Sequence, residues 1–396
     1  MRQASQVLAL TAHALRHIPQ RLGNALVIVF GIAGVVAVLI PVLAMYRGFG
    51  TTIRADARAD RAIVLSQAET TEYNSSLSRD SVAIISSAPG VRHDARGEPL
   101  VSAEVVLPAP VSRGRDHSDV NVTLRGVGPR YFDIRPELKL IAGRMYRAGT
   151  HELLAGAAAS SQFDGLRMGD RVHLQGGDWT VVGTFAGGSG SRQSELLADA
   201  QTVMSAYKLD SFNSVTAELE APRVLGDFET ALSADTRLSV AVRSEPEYLA
   251  QASADVDRLL RFVVYAIGSI MSLGAAVAAL NATYSAVRAR AVETATLKAL
   301  GFQSSSVALA VLIEALLLSL AGAAIGTSLA CAAFGGAMIS TLGGALFDSQ
   351  LVYSLTVTPH LVGSTTLLAC TLGLVGGLVP AIRAARANIA VALHEK

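Results

Sequence analysis

The amino-acid sequence predicts an α-helical membrane protein of four transmembrane helices, with a large mixed α+β extracytoplasmic domain inserted between the first and the second. Three observations predict it. Hydrophobic residues make up 51% of the 396 positions and charged residues only 16%, an apolar excess over the globular norm. Four stretches run 25 residues or longer with at most one Asp, Glu, Lys or Arg, and about 20 apolar residues cross a hydrocarbon core. The basic residues beside these stretches fall consistently on one side.

The first run, LGNALVIVFGIAGVVAVLIPVLAMY, fills 22–46 between Arg21 and Arg47. A signal peptide has an apolar core of about 7–15 residues, so this run reads as an uncleaved anchor, with Pro41 expected to kink it near its outer end. The second span is 262–287. The third, 312–336, belongs to a stretch that only Glu314 interrupts between Lys298 and Asp348; GGAMISTLGGALF beyond its core lies at the interface or prolongs the helix. The fourth is 358–382.

Orientation follows from Lys and Arg near the span ends. The segment 1–21 carries Arg2, Arg16 and Arg21 without an acid; 288–311 carries Arg288, Arg290 and Lys298 against Glu293; the tail 383–396 carries Arg383, Arg386 and Lys396 against Glu395. These three segments are assigned to the cytoplasm and both termini with them. Residues 47–261 and the connection 337–357 then lie outside. The 47–261 segment holds 24 Lys/Arg and 28 Asp/Glu, which does not offend the rule, because long domains translocate regardless of charge. In segment 1–21, Val7, Leu8, Leu15, Ile18 and Leu22 share one helical face, as in an amphipathic helix lying in the membrane interface.

Segment 47–261 reads as mixed α and β. Strands are expected at 61–65, 101–107, 120–127, 170–174, 179–185 and 238–243, and helices at 78–88, 226–235 and from Tyr248 into the second span. The first helix is capped by Ser78 or Asp80 and stopped by Pro89-Gly90. No catalytic constellation emerges. GGSGSR (187–192) lacks the Lys-Ser/Thr of a phosphate loop. His93, His117, His151 and His173 lack ligand spacing. Ser160, Ser161 and Ser189 lack a nucleophile elbow. The two cysteines, Cys331 and Cys370, sit in apolar stretches and form no CxxC pair. Net charge is +1, which points to no nucleic-acid partner. No cofactor is expected on this chain.

The segment RARAVETATLKALGFQSSSVALAVLIEALLLSLAGAAIG (288–326) is more specific. A charged, helix-prone stretch turns at Gly301 and leads into an apolar helix bearing Glu314. Residues 292–300 suit a rigid protruding helix, with Thr296 and Lys298 outward and Val292, Leu297 and Leu300 as anchors; Gly301 allows the left-handed turn that ends it. An ordinary basic loop beside anionic lipid is the plainer alternative. Glu314, the one acid well inside an apolar run, is expected to pair with Lys298 or Arg290. Gly322/Gly326 and Gly373/Gly377 are small-xxx-small pairs, suited to close helix packing within one subunit or across a homodimer seam.

This segment resembles the R-x-R-E-x-x-x-L-x-A-L-G stretch before the third helix of FtsX/MacB-type permeases, the four-helix mechanotransmission class of ABC transporters. Arg288, Arg290, Leu297, Lys298, Ala299, Leu300 and Gly301 match, while Glu293 stands two residues later than the usual acid. The ETATLKALGF wording is closest to an adaptor-linked, glycolipid- or haem-exporting branch. Gly143-Arg144, Glu152, GDRV (169–172) and WTVVG (179–183) resemble the family's membrane-distal lobe. In the tail, Pro380, Ala381, Ala384, Ala385, Arg386, Ala392 and Leu393 match PA-x-x-AAR-x-x-P-V-x-AL, with Ile389 or Ala390 in place of the proline.

The resemblance implies a non-catalytic permease subunit of the bacterial inner membrane. It implies a homodimer with two cytoplasmic ATPase subunits that bind the ATP, a possible periplasmic adaptor, and membrane lipid as surroundings. Coupling to the ATPase falls to Arg288, Arg290, Glu293, Thr296, Leu297, Lys298, Ala299, Leu300, Gly301 and Phe302. Export or extraction of a lipid, lipoprotein, peptide or hydrophobic small molecule is the implied task. A membrane-anchored sensor or scaffold, binding a ligand outside without transport, is the competing expectation.

Overall fold

The computed structural model describes residues 6–7, 10–12, 16, 22–54, 57–112, 119–188, 192–335, 338–340, 352–354 and 357–386. The chain divides into two compact units, one of residues 1–47, 259–337 and 355–396, the other of 48–258 and 338–354.

The first unit is helical. Among the described residues, four helices are long and apolar enough to cross a membrane: α1 (Leu22–Arg54), α8 (Ala254–Ala289), α10 (Ser304–Phe334) and α11 (Pro359–Arg386). Glycine decides how closely they approach. A Cβ on Gly322 or Gly326 would stand 2.7 Å from Val29 O or 2.5 Å from Ala33 O on α1, and one on Gly376 2.7 Å from Ala279 Cβ on α8. On Gly377 it would meet Ala315 Cβ of α10 at 3.0 Å, and on Gly373 it would overlap the Ser319 side chain. Both small-xxx-small pairs are thus occupied within the subunit. Gly326→Leu is expected to push α1 off α10 and cost about 1–3 kcal/mol, seen as a lower Tm, whereas Gly23→Leu, which meets open space, is expected to leave it unchanged.

The second unit is a mixed sheet with helices. Its strands are β1 (Arg61–Ser66), β2 (Val101–Ser112), β3 (Asp119–Val127), β4 (Lys139–Gly143), β5 (Glu152–Gly156), β6 (Arg171–Leu174), β7 (Gly177–Ala186), β8 (Leu196–Asp199), β9 (Ser214–Glu218) and β10 (Val240–Ser244). They lie in the order β10-β1-β9-β2-β3-β8-β5-β7-β4, with β6 beside β7. Helices α2 (Arg79–Ser86), α3 (Tyr131–Ile134), α4 (Ala157–Gln162), α5 (Ala200–Tyr207), α6 (Leu225–Ala234) and α7 (Glu245–Ala252) complete it. The expected strands form, often longer than read. Ser78 caps α2, its Oγ accepting from Ser81 N at 3.1 Å, which is the usual N-cap bond.

β2 joins two half-sheets: residues 101–104 pair with β9 and residues 105–112 with β3. One face of the sheet is apolar, with Val64, Val105, Leu124, Leu153, Trp179, Leu196 and Val215 in a single cluster. The opposite face carries a buried ionic network across the junction. Arg125 on β3 donates to Glu104 on β2 at 2.7 Å, to Glu72 at 3.0 Å and to Glu195 at 2.8 Å. Ser214 and Thr216 of β9 donate to Glu72 and Glu104 at 2.6 and 2.7 Å. Burial alone would push the Glu72 carboxyl up, but the adjacent Arg125 overrides it and holds it at about 2. Glu195 is lowered in the same way, against burial, by Arg125 and Arg192.

A second buried carboxylate gathers the two ends of the domain. Glu245, the first residue of α7, accepts from Arg135 at 2.6 Å, from Arg61 at 3.3 Å and from the Arg58 backbone N–H at 3.1 Å. The chain that follows α1 is therefore tied to the helix that precedes α8.

Two expectations are corrected. The helix from Tyr248 is not continuous into the second span: α7 stops at Ala252 and α8 starts at Ala254, with Ser253 between them at φ −94°, ψ −2° and its hydroxyl donating to Leu249 O at 2.7 Å. GGAMISTLGGALF does not prolong α10, which ends at Phe334; Met338–Ser340 (β11) pairs antiparallel with Val352–Ser354 (β12). Residues 341–351, His117 and Ser189 lie outside the described residues.

Candidate functional site

The site is α9 (Ala291–Ala299) with the turn that leads to α10. Arg290 interrupts the helix between α8 and α9 at φ −107°, ψ 13°. At the other end the backbone closes a Schellman motif: Phe302 N–H donates to Leu297 O at 3.2 Å and Gly301 N–H to Lys298 O at 3.0 Å. Gly301 has φ +97°, a conformation that favours glycine. Leu297 and Phe302 pack on one cluster with Leu10, Val307, Ala310 and Ala384, the apolar contact that accompanies this motif.

Three further ties seat α9. Arg290 forms a two-pronged ion pair with Glu314 at 2.9 and 3.1 Å, and the two side chains are only 17% and 15% exposed. Such fork pairs combine charge with fixed geometry. Lys298 Nζ donates to Ala385 O at the end of α11 at 2.8 Å, where a cation suits a helix C-terminus. Ala295 is buried under the helix.

The outward face differs from the expected one. Val292 is 52% and Leu300 74% exposed, so they are not the anchors; Ala295 and Leu297 are. Val292, Glu293, Thr296, Ala299 and Leu300 recur at helical spacing and are all exposed. Thr296 faces out as expected, its hydroxyl donating to Val292 O at 2.9 Å. Lys298 is turned inward onto Ala385 rather than outward. Arg288 is exposed and stacks over Tyr284 at 4.9 Å.

Behind α9 lies a cavity of about 90 Å³, lined among others by Asn24, Thr283, Arg290, Leu297, Val307 and Glu314. Thr283 Oγ1 is buried there and accepts or donates no hydrogen bond among the described residues. The N-terminal segment reaches this region too. Its described residues 6, 7, 10–12 and 16 are helical, and Gln6, Val7, Leu10 and Thr11 are buried. Gln6 Oε1 accepts from Gln303 N–H at 3.3 Å and Ser306 Oγ at 3.1 Å, capping α10 from a distance where Gln303 supplies no side-chain cap. Leu8, Leu15 and Ile18 of the expected apolar stripe lie outside the described residues, and Leu22 is 53% exposed.

Among the described residues no group of three or more His, Cys, Asp or Glu could hold a metal ion. His173 pairs with Asp178 at the surface and His151 stacks on Trp179.

The family described as the MacB-like periplasmic core domain matches residues 22–259, more than half of the chain, and the FtsX-like permease C-terminal matches residues 265–389. The chain belongs to the FtsX/MacB permease family. As a permease component of an ABC transporter, it is of a kind that generally works with a separate cytoplasmic ATPase.

No curated protein matches the permease in sequence. Among solved structures, it is similar to the extracellular domain of the noncanonic ABC-type transporter YknZ from Gram-positive bacteria. That match has 16% identity and a TM-score of 0.36, over 46% of this chain and 99% of that one. It is also similar to the periplasmic region of MacB from Actinobacillus actinomycetemcomitans, with 13% identity and a TM-score of 0.37 over 52% of this chain and 94% of that one. A domain of a putative permease protein from Porphyromonas gingivalis matches with 16% identity and a TM-score of 0.33, over 48% and 93% of the two chains.

Proposed function

We propose that the permease works as a homodimer with two copies of a cytoplasmic ATPase subunit, and that α9 with its Gly301 turn is the element each ATPase pushes. The observation that carries this reading is how firmly α9 is seated. The Arg290–Glu314 fork holds its start, the Schellman turn its end, and Lys298 its flank. A helix held at three points passes on a displacement instead of absorbing it. Its exposed Val292, Glu293, Thr296, Ala299 and Leu300 mix apolar and polar groups, as docking of a helix into a partner's groove requires.

At the other end of the relay, Arg58, Arg61 and Glu245 join the segments that follow α1 and precede α8. Those two segments continue α1 and α8 along the chain, and Glu245 couples them inside the mixed domain. The permease then sits in the bacterial inner membrane with both termini and α9 cytoplasmic and the mixed domain periplasmic. The cargo is a lipid, lipoprotein, peptide or hydrophobic small molecule exported or extracted on the outer side, with a periplasmic adaptor as a further partner. The cargo class rests on family likeness.

The test is ATPase stimulation in a purified complex of permease and ATPase. Val292→Asp with Leu300→Asp is expected to lower stimulation about tenfold, the loss of an apolar anchor at a hot spot. It is expected to leave the permease's Tm nearly unchanged, as exposed substitutions do. The reading is dropped if no ATPase subunit copurifies from mild detergent and hydrolysis is indifferent to substitutions at Lys298 and Gly301.

A further inference from the structure

We propose that the groove between the C-terminal ends of α8 and α11 binds the headgroup of an anionic phospholipid, held by Arg288 and Arg383. The groove has a volume of about 170 Å³ and is lined by Tyr284, Val287, Arg288, Ala291, Thr294, Pro380, Arg383 and Ala384, and its floor is mostly apolar. Both guanidiniums stand over the one Tyr284 ring, each 4.9 Å from its centroid. An exposed cation over an aromatic ring gains about 0.5–1 kcal/mol, while two cations gathered on one ring repel each other. Among the described residues neither guanidinium has a carboxylate partner. The neighbouring cations Arg290 and Lys298 are, by contrast, spoken for by Glu314 and Ala385 O. The site is therefore a pair of unneutralised positive charges held at an apolar slot, which a phosphodiester with its acyl chains complements.

The depth of the groove selects a lipid over a soluble anion. Arg288 is the first charge after the charge-free stretch 262–287, and Arg383 the first after 349–382. Each marks where its span leaves the hydrocarbon, and both flank a tyrosine, a residue favoured at that boundary. One helical turn deeper, α8 and α11 are packed too closely to admit a chain, since a Cβ on Gly376 would stand 2.7 Å from Ala279 Cβ. The lipid would thus sit outside the packed seam, beside the Ala291 end of α9, where its occupancy steadies the helix that the ATPase is proposed to push. Basic pockets between helices on the cytoplasmic side are where anionic headgroups bind. The inference rests on the cytoplasmic placement given under Proposed function.

The experiment titrates the full-length, delipidated permease in neutral detergent with short-chain phosphatidylglycerol, phosphatidylcholine and inorganic phosphate. It reads the thermal shift of the bundle, and native mass spectrometry counts retained lipid. Phosphatidylglycerol is expected to stabilise the protein well below the concentration at which phosphatidylcholine does. At about fivefold per basic residue near the anionic surface, Arg288→Gln with Arg383→Gln is expected to raise the half-saturating concentration about 30-fold. Arg288→Lys with Arg383→Lys, which keeps both charges, retains most of the binding and controls for folding. Arg386→Gln, an exposed cation outside the groove, is expected to change little. Unchanged retention in the glutamine double variant overturns the proposal, as does equal loss in Arg386→Gln, or protection by phosphate at the lipid's concentration. Loss of ATPase binding with lipid retention intact also overturns it, assigning the groove to the partner. Copurification of the ATPase with the unaltered permease is scored separately, so failure of the transporter reading is told apart from failure of the lipid site.

Discussion

Replacing Arg125 by methionine is expected to unfold the mixed domain at neutral pH and to let mild acid restore it. Arg125 is buried and touches three carboxylates, Glu72, Glu104 and Glu195, which come from both half-sheets. Removing one partner of a buried pair costs about 3–5 kcal/mol because the remaining charge is left without compensation. Here three carboxylates lose their shared cation, against a whole-domain stability of about 5–15 kcal/mol.

The pH dependence reverses sign. In the unaltered protein Glu72 is held at about 2, below its ordinary 4.5, and Glu195 is lowered too. Their stabilisation is complete above the unfolded value and is lost as pH falls from about 5 toward 2. In Arg125→Met, Glu72 keeps the burial that raises its carboxyl and loses the guanidinium that lowered it, so it rises above its unfolded value, while Glu195 keeps Arg192 at 3.4 Å. The folded state then binds more protons than the unfolded one, and stability grows as pH falls below 7. Trp179, the one tryptophan of the chain, is fully buried in the domain core, so its fluorescence reports the transition in the full-length protein. A variant as stable as the parent at pH 7, or one that loses stability with acid as the parent does, would show that the network is not the clasp between the half-sheets.

Breaking the Arg290–Glu314 fork is expected to have the second largest effect. Glu314→Ala leaves a guanidinium, and Arg290→Ala a carboxylate, at the wall of an apolar cavity. Each is expected to cost about 3 kcal/mol and to release the start of α9, so both stability and ATPase stimulation fall. The double variant Arg290→Met with Glu314→Met removes both charges at similar volume and is expected to regain most of the stability, since apolar replacements of ion pairs are often neutral. It should not regain the stimulation, because the fixed geometry is gone. In a Cys331→Ser background, which removes the exposed thiol, heating while following maleimide reaction at Cys370, half-buried in α11, measures the stability of the bundle. Additive single-variant losses in the double-variant cycle would show that the two groups act independently.

The sequence shows the spans, the acid in the third of them and the glycine that ends α9 because each depends on one local property. A charge-free run of sufficient length, an isolated Glu314 and a positive φ at Gly301 need no knowledge of distant residues. The strands of the mixed domain are read for the same reason where burial alternates along the chain, as in β7, where Trp179, Val181, Gly183 and Phe185 are buried and the residues between them less so. β4, β5, β8 and β9 are missed. β5, β8 and β9 are short central strands buried on both faces and β4 is exposed along its whole length, so none of them shows alternation.

The facing of α9 is misread because Val292 and Leu300 are the larger apolar residues, while the position that meets the bundle is the small Ala295. The ionic network escapes detection altogether. Glu72, Glu104, Arg125 and Glu195 are spread over 124 positions and look like ordinary surface charges until β2 bridges the half-sheets.

The sequence by itself determined that four helices have the length and apolarity to span a bilayer, that a mixed domain follows the first, and that a helix ending in glycine precedes the third. These are properties of contiguous residues, set by solvation and backbone sterics. Only the tertiary structure decided which charges are neutralised and which face of α9 is exposed. Those depend on pairings such as Arg290 with Glu314 and Arg125 with Glu72, whose energy exists only once folding has removed water from between partners that the chain holds far apart.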